Sequence, residues 1–471
     1  MKTRYKYYKN IFQFCFLFCC IVILNLTSCT KEWLDKKPDI KTTIPASLQD
    51  CQALLDYNTL FNGDSPGLGE IASDGHFVIE SRILTMADNS RNAYTWSNEL
   101  PYRNVSDWIS QPNLGSYTRI FTCNLILETL EKITLNNLNQ SLWNNIKGQA
   151  LFQRARSFYE LAQLYAPPYQ LNSENNSLCI PLRLTSDINI LSVRSTVKET
   201  YELVINDLKL AQELLPITPS YKTRASKPGA FALLARVYLS MEDYTNAGIC
   251  ANGALEINSV LLDYNTLIIS DPFPVKQLNT EVIFHSSLVN YGENGTGLRI
   301  DPQLISLYQS NDLRIPVFFS LSAGQYSFKG SYTGSRQCFN GLANDEMYLI
   351  RAESRARAGS FNEAMADVNT LLKNRWKKVG GISTYVDQSA TNQSQALEIV
   401  LQERKKELLL RGLRWSDMRR LNKDPRFAVS LSRTVQGKIY TLEPNSFRYV
   451  FPLPIDVIEM SNMSQNPGWN N

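Results

Sequence analysis

The sequence predicts a mainly α-helical fold, a scaffold of stacked helix pairs joined to an irregular, loop-rich half. Three observations carry this. Two distant stretches, Pro228 to Leu255 and Asp345 to Leu372, share one pattern of helix, tight turn and helix. Apolar residues recur at three- to four-residue steps through several segments between Tyr117 and Leu421. That period fails over 62–112 and most of 261–340, where Gly, Pro, Ser, Asp and Asn crowd between aromatic residues.

The chain opens on an address. Lys2, Arg4, Lys6 and Lys9 precede Ile11 to Leu24, apolar except for Gln13. A basic start and a short apolar core describe a secretory signal, and the run falls well short of the roughly 20 residues that span a bilayer. Leu26-Thr27-Ser28-Cys29 follows. It resembles a bacterial lipobox, in which the Cys sulfur is lipidated and becomes the mature N-terminus. The expected division is therefore a signal over 1–28 and a mature domain over 29–471 whose first part, 29–45, is an extended tether.

Four of the 48 basic residues and none of the 44 acidic ones precede Cys29, so the mature chain carries 44 of each. Balanced charge argues against nucleic acid as the partner, because phosphate neutralisation needs a basic excess or stripe. Cys51, Cys123, Cys179, Cys250 and Cys338 are odd in number, far apart and without a C-x-x-C. They form neither a disulfide framework nor a zinc site and read as small buried hydrophobes.

Leu48 to Leu60 has helical spacing. A helix begins near Tyr117, a second runs from about Leu142 to Tyr165 before Pro167-Pro168, and a third spans Val197 to Leu215 with Ser195 or Thr196 as N-cap and Glu199 following. With Tyr244 set against Phe361 in the two similar stretches, Ala235 meets Ala352 and Ala247 meets Ala364. Small residues at helix contacts, and an aromatic followed three later by Ala, resemble the tetratricopeptide unit, which buries its apolar face only by stacking. Val282-Ile283-Phe284 reads as a short strand, Ile305 to Tyr308 as a helical turn, and Ala396 to Leu421 as one amphipathic helix. The scaffold is thus expected over about 117–260 and 344–421.

Several motifs together resemble the SusD/RagB family. They are Y-L-I-R-A-E-S-R-A-R-A-G (Tyr348–Gly359), E-R-K-K-E-L-L-L-R-G-L-R-W-S-D-M-R-R (Glu403–Arg420), and F-P-L-P-I-D-V-I through Q-N-P-G-W (Phe451–Trp469). W-L-D-K-K-P (Trp33–Pro38), S-K-P-G-A-F-A-L-L-A-R-V-Y-L (Ser226–Leu239), E-V-I-F (Glu281–Phe284) and N-D-L-R (Asn311–Arg314) also agree. The resemblance implies four tetratricopeptide-like units and a loop-rich ligand surface. It also implies a lipid-anchored outer-membrane protein that captures an oligosaccharide, or a peptide, for a TonB-dependent (SusC-like) transporter. The chain departs from the family in a compact Arg314–Asp345 stretch and in Tyr165-Ala166-Pro167-Pro168, where glycine usually follows the tyrosine.

Enzyme signatures are thin. The two histidines, His76 and His285, are far apart, and no H-E-x-x-H, G-x-x-x-x-G-K or G-x-S-x-G occurs. No cofactor or metal is expected. A glycan hydrolase would need two carboxylates flanking a bond, and Asp74 with Glu80 or Glu99 is the conceivable pair. Glu403 and Asp417 read instead as scaffold charges, with Glu407 and Arg411 as an i, i+4 pair and with Arg414, Asp417 and Arg420 facing neighbouring repeats. For ligand contact the candidates are Asp74, Trp96, Tyr102, Trp108, Tyr291 and Asn294, because sugar C–H faces pack on aromatic planes while hydroxyls need polar side chains beside them.

Overall fold

The structure, a computed structural model, describes residues 45–97, 99, 101–109, 113–292 and 297–469. The signal, Cys29 and nearly all of the tether lie outside these residues, as does Asn294. Residues 47–471 cluster as one unit.

Helix α1 (Leu48–Leu55) starts at Ser47, where the hydroxyl and the Asp50 carboxylate each accept the other residue's backbone N–H. Such reciprocal caps stabilise a helix start by about 1 kcal/mol. After α2 (Asn58–Phe61) the stretch expected as loop is partly helical. It holds α3 (Leu68–Ala72), β1 (His76–Val78), α4 (Glu80–Ile83) and α5 (Asp88–Thr95). These pieces are too short to show a period, which is why the spacing missed them.

The scaffold follows the expected order. It consists of α6 (Ser116–Lys132), α7 (Gln140–Tyr165), the paired strands β2 (Leu178–Pro181) and β3 (Arg194–Thr196), then α8 (Val197–Leu214), α9 (Lys227–Ser240) and α10 (Tyr244–Ile257). Thr196 and Glu199 close the anticipated capping box, and Ser226 and Asp243 cap α9 and α10. Each helix packs on the next in sequence. An inserted region then intervenes: β4 (Val282–Phe284), β5 (Leu298–Ile300), α11 (Pro302–Ile305), α12 (Arg314–Phe318) and the hairpin β6 (Phe319–Ser322)–β7 (Gln325–Phe328). Strand β4 pairs with β8 (Leu342–Ala343), which feeds α13 (Asn344–Arg357), so the insertion closes where the helical ladder resumes. Helix α13 packs against α10, and a Cβ on Gly248 would sit 2.8 Å from that of Ser354, so the close approach requires glycine. Strand β1 pairs antiparallel with β5, tying the first loop region to the second.

Helix α14 (Phe361–Lys373) and the small pair β9 (Lys378–Val379)–β10 (Ile382–Ser383) follow. The single helix expected over Ala396 to Leu421 is two, α15 (Gln393–Glu407) and α16 (Arg414–Leu421). Leu410 (φ 57°) and Gly412 (φ 72°) are left-handed and break it. The hairpin β11 (Leu431–Val435)–β12 (Lys438–Leu442) and helix α17 (Ile455–Ser461) complete the chain.

One apolar core joins α7–α10 to the first loop region and to Trp415, Phe451 and Trp469, with Trp415 stacked on Phe451 at 5.3 Å. A second core lies under the insertion and takes in Leu409 and Leu410, so the break after α15 plugs it. Between scaffold and insertion runs a buried ionic network. Arg314 reaches Asp312 (2.6 Å), Glu403 (2.8 Å) and Glu407 (3.0 Å), while Arg375 reaches Glu407 and Glu281 (2.8 Å each). Glu407 therefore pairs across the fold. Arg411, its expected helical partner, pairs with Asp345. Asp417 bonds Arg404 and Arg420, and Arg420 bonds Glu353 of α13, so the charged stretch Glu403–Arg420 fastens adjacent repeats. All five described cysteines are buried and unbridged.

Candidate functional site

The aromatic candidates are in the core, which corrects the expectation that they offer open planes. Trp96 is 1 % exposed, donates Nε1–H to Ala72 O at 2.9 Å and lies under the Arg433 guanidinium. The Tyr102 ring meets the edges of Phe451 and Trp469 at 6.1 Å each. Tyr291 is buried with its hydroxyl 3.3 Å from the Asp107 backbone N–H. The reason is energetic. Burying such a ring stabilises the fold by about 1.5–3 kcal/mol, and Trp96 caps the C-terminal end of α5, which turns its ring inward. Arg433 completes the arrangement by donating to Ile71 O, Ser73 O and Tyr94 O, the carbonyls left free where α3 and α5 end.

Asp74 is also committed. Arg414 (2.5 Å) and Lys405 (2.9 Å) bond its carboxylate. Burial alone would raise its pKa, but these two cations outweigh burial and hold it well below the usual carboxylate range. Glu80 accepts the Gln436 N–H, and Glu99 bonds Lys438 and Tyr440. Each carboxylate of the conceivable hydrolase pair is thus engaged within the fold.

Trp108 differs from the other rings. It is 4 % exposed, tilted against Tyr117 at 4.8 Å and edge-on to Tyr165 at 5.1 Å, yet it lines a groove of about 340 Å³. One wall is the 182–193 loop between β2 and β3 and the other is α17. The loop is pinned from within, because Arg183 donates to Ile190 O (2.7 Å) and Ser192 Oγ (2.8 Å), and Glu128 of α6 accepts from Thr185 and from the Ser186 N–H. The α17 wall is pinned by Arg103 on Glu459 and by the Asn104 N–H on Asp456. Asp107, next to Trp108, accepts the Gly67 and Leu68 N–H groups at the start of α3, and burial pushes its carboxyl up to about 7. The groove is thus preformed. Its floor is aromatic, Asn189 and Ser192 are polar, and the rim is aliphatic: Ile188 is 79 % exposed, with Ile190, Leu191 and Met460 also open. The sequence signal for this wall was the aliphatic run Ile188-Asn189-Ile190-Leu191-Ser192-Val193 in a segment with neither helical nor strand period.

His76 sets a testable property of this region. Burial lowers its pKa to about 3, so the folded protein holds it neutral while the unfolded chain protonates near 6.5. The contribution of the neutral ring is present above pH 6.5 and is lost as pH falls toward 3, since the unfolded state then binds the extra proton. His76→Leu is expected to cost about 1 kcal/mol at pH 8, and the deficit should vanish or reverse by pH 4.5. Denaturant midpoints at the two pH values measure it; a constant deficit would refute the assignment.

Residues 32–239 match a SusD-like family model described as starch-binding and associating with the outer membrane, and residues 345–469 match the SusD family model. SusD-like protein P2 of Formosa agariphila is 26% identical over 484 residues, covering 88% of each chain. Among solved structures, a putative sugar binding protein from Bacteroides vulgatus aligns with a TM-score of 0.73 at 22% identity, over 91% of this chain and 100% of that one. A laminarin-binding SusD-like protein aligns at 0.61 and 17% identity, over 89% and 98%. These structures share the mainly α-helical fold. The two family models cover both ends of the helical ladder and the C-terminal motifs, and the chain belongs to the SusD/RagB family.

Proposed function

We propose that the protein is a lipid-anchored cell-surface receptor that captures an oligosaccharide and delivers it to a SusC-like, TonB-dependent outer-membrane transporter, without itself cleaving the ligand. The observation that carries this reading is the double family match, whose first model is described as starch-binding and associating with the outer membrane. Relatives described as sugar-binding and laminarin-binding share the fold and support the ligand class. The lipobox-like Cys29 supplies the anchor, and among the described residues no helix is long and apolar enough to cross a membrane. Isothermal titration against soluble glycans tests the reading; heat from at least one neutral glycan is expected, with no product after long incubation.

A second reading, peptide capture, is favoured by one feature, the aliphatic rim over Trp108. Hydroxylated ligands gain little from Ile188, Ile190 and Leu191, whereas apolar side chains gain about 25 cal/mol for each Å² they bury. Ile190→Asp separates the two readings. The side chain is 52 % exposed, so folding should be unchanged. Binding of a peptide pool should be lost and glycan binding kept; equal peptide binding by both proteins would remove the peptide reading.

A further inference from the structure

We infer that a second pocket, remote in sequence from the Trp108 groove, takes one acidic unit of a bound glycan, a sugar ring that carries a carboxylate or a sulfate ester. This rests on the glycan reading above and adds a charged unit to it. The pocket has a volume of about 250 Å³ and lies between Pro167-Pro168 after α7, the end of α16, the turn at Phe447–Tyr449 and the C-terminal segment at Asn466-Pro467. It is smaller than the roughly 300 Å³ at which drug-sized sites begin, which suits one ring rather than a chain.

The charge balance of the wall selects the class. Arg419 and Lys423 line the pocket, and no Asp or Glu does. Arg419 is 4 % exposed and has no carboxylate partner: its two Nη groups donate to Gln163 O and Ala166 O, and Nε has no acceptor. Burial pulls its pKa down to about 10, so at neutral pH the guanidinium keeps its charge. Two carbonyl dipoles offset a buried cation only in part, and an anion held beside this wall offsets more of it, because the charges are weakly screened there. Arg448 sets its guanidinium over the Phe447 ring, 5.7 Å from the centroid, and forms no ion pair among the described residues. Arg194, behind Asn466, donates to Asn466 Oδ1 and to the carbonyls of Ser464, Leu178 and Cys179, again without a carboxylate. The acids nearby are engaged: Glu242 pairs with Lys423, and Glu443 accepts from Ser430. Three guanidiniums without counter-ions around one pocket make its potential positive, which draws an oxyanion.

Donors to meet that oxyanion are at hand. Lys423 Nζ gives one proton to Tyr169 O (2.7 Å) and one to Glu242, which leaves a third. Ser446 Oγ accepts the Arg448 N–H (3.3 Å) and retains its own proton. Hydrogen bonds to an ionised oxygen are about twice as strong as neutral ones. The rest of the rim fits a sugar ring better than a bare anion. Gln170 and Asn445 present exposed carboxamides, which donate and accept as hydroxyls do, and Phe447, 45 % exposed and edge-on to Trp469 at 5.6 Å, gives C–H groups an apolar neighbour.

The test uses the full chain in detergent with methyl glucuronide, a sulfated methyl galactoside, methyl glucoside, inorganic sulfate and a short acidic peptide, read by titration and saturation-transfer NMR. At least one acidic sugar should bind roughly tenfold more tightly than methyl glucoside, and raising NaCl from about 0.05 to about 0.5 M should remove most of that difference. Lys423→Gln and Arg448→Gln should each weaken acidic-sugar binding a few-fold and together roughly tenfold, with unchanged melting curves, while Lys423→Arg should bind as the unaltered chain does. Methyl glucoside binding as tightly as both acidic sugars, an affinity indifferent to salt, or undiminished acidic-sugar binding by the folded double variant overturns the pocket and leaves the glycan reading standing. Sulfate or the peptide binding as tightly as the acidic sugars overturns the sugar class. Absence of binding by every sugar and glycan to the unaltered chain overturns the glycan reading and the pocket with it.

Discussion

Replacing Arg375 by Met should destabilise the folded unit by about 3–5 kcal/mol, a large share of the total stability of a natural domain. Arg375 is fully buried and joins scaffold to insertion. Its Nε–H donates to Glu407 (2.8 Å), Nη2 to both oxygens of Glu281 (2.8 and 3.1 Å) and Nη1 to Leu262 O (2.8 Å), and its guanidinium lies over Tyr264 at 4.1 Å. Glu407 keeps Arg314 when Arg375 is gone, but Glu281 keeps only the Leu262 N–H and the Tyr332 hydroxyl. A buried carboxylate without a cation costs far more than the net worth of the pair, because its desolvation is then unopposed. Lysine should not rescue, since one ammonium cannot meet two carboxylates in the planar fork that Arg375 presents.

Proton linkage gives this result a second signature. Burial raises the Glu281 carboxyl to about 7 even with Arg375 beside it, and removing the cation raises it further. A carboxyl with a folded pKa above its unfolded one loses stability as pH rises between the two values. The deficit of Arg375→Met should therefore be larger at pH 8 than at pH 5. Adding Glu281→Gln should recover part of it, because removing both partners leaves no buried charge. Urea unfolding at both pH values measures this. A deficit under about 1 kcal/mol at pH 8 would falsify the claim that this network holds the insertion to the scaffold.

The helical ladder was legible because its signals are local. Thr196 with Glu199, Ser226 and Asp243 sit one turn from what they cap, and the alanines of α9, α10 and α13 repeat at the period of the helix. The break after α15 was hidden, since leucines continue through Leu408, Leu409 and Leu410, and of the two left-handed positions that break the helix Leu410 carries no mark in the sequence and Gly412 comes only after them. The ionic network was hidden for a different reason. Glu403 and Glu407 meet Arg314 and Arg375, and the chain returns these residues to one another only after long excursions. The ligand surface was least legible. Trp96 and Tyr102 stand among polar residues in sequence, as exposed rings do, but the carbonyl-capping Arg433, some 330 residues away, roofs Trp96, while Phe451 and Trp469 enclose Tyr102. Phe447, which is exposed, carries no sequence mark to set it apart from these buried rings.

Replacing Cys29 by Ala should release the protein from the membrane while leaving its fold untouched. The folded unit begins at Ser47, with its own cap on α1, and contains no membrane-crossing helix among its described residues. On the function proposed above, attachment comes from acyl chains on Cys29, about 0.8 kcal/mol for each buried CH₂, with more than one chain needed for stable anchoring. Without the thiol there is no acyl acceptor, and the signal should either be cut elsewhere, freeing the chain, or stay uncut. Uncut, Ile11 to Leu24 would still be a tether, so the measurement must determine the N-terminus as well as the fraction. The expected outcome is a processed chain in the soluble fraction, with unchanged melting temperature and unchanged glycan titration, and with surface labelling of cells lost. Delivery to a transporter should fail in the same cells, because a released receptor is diluted into the medium instead of being held at high effective concentration beside the transporter. A processed Cys29→Ala chain still on the membrane would show that attachment comes from a partner protein and not from lipid.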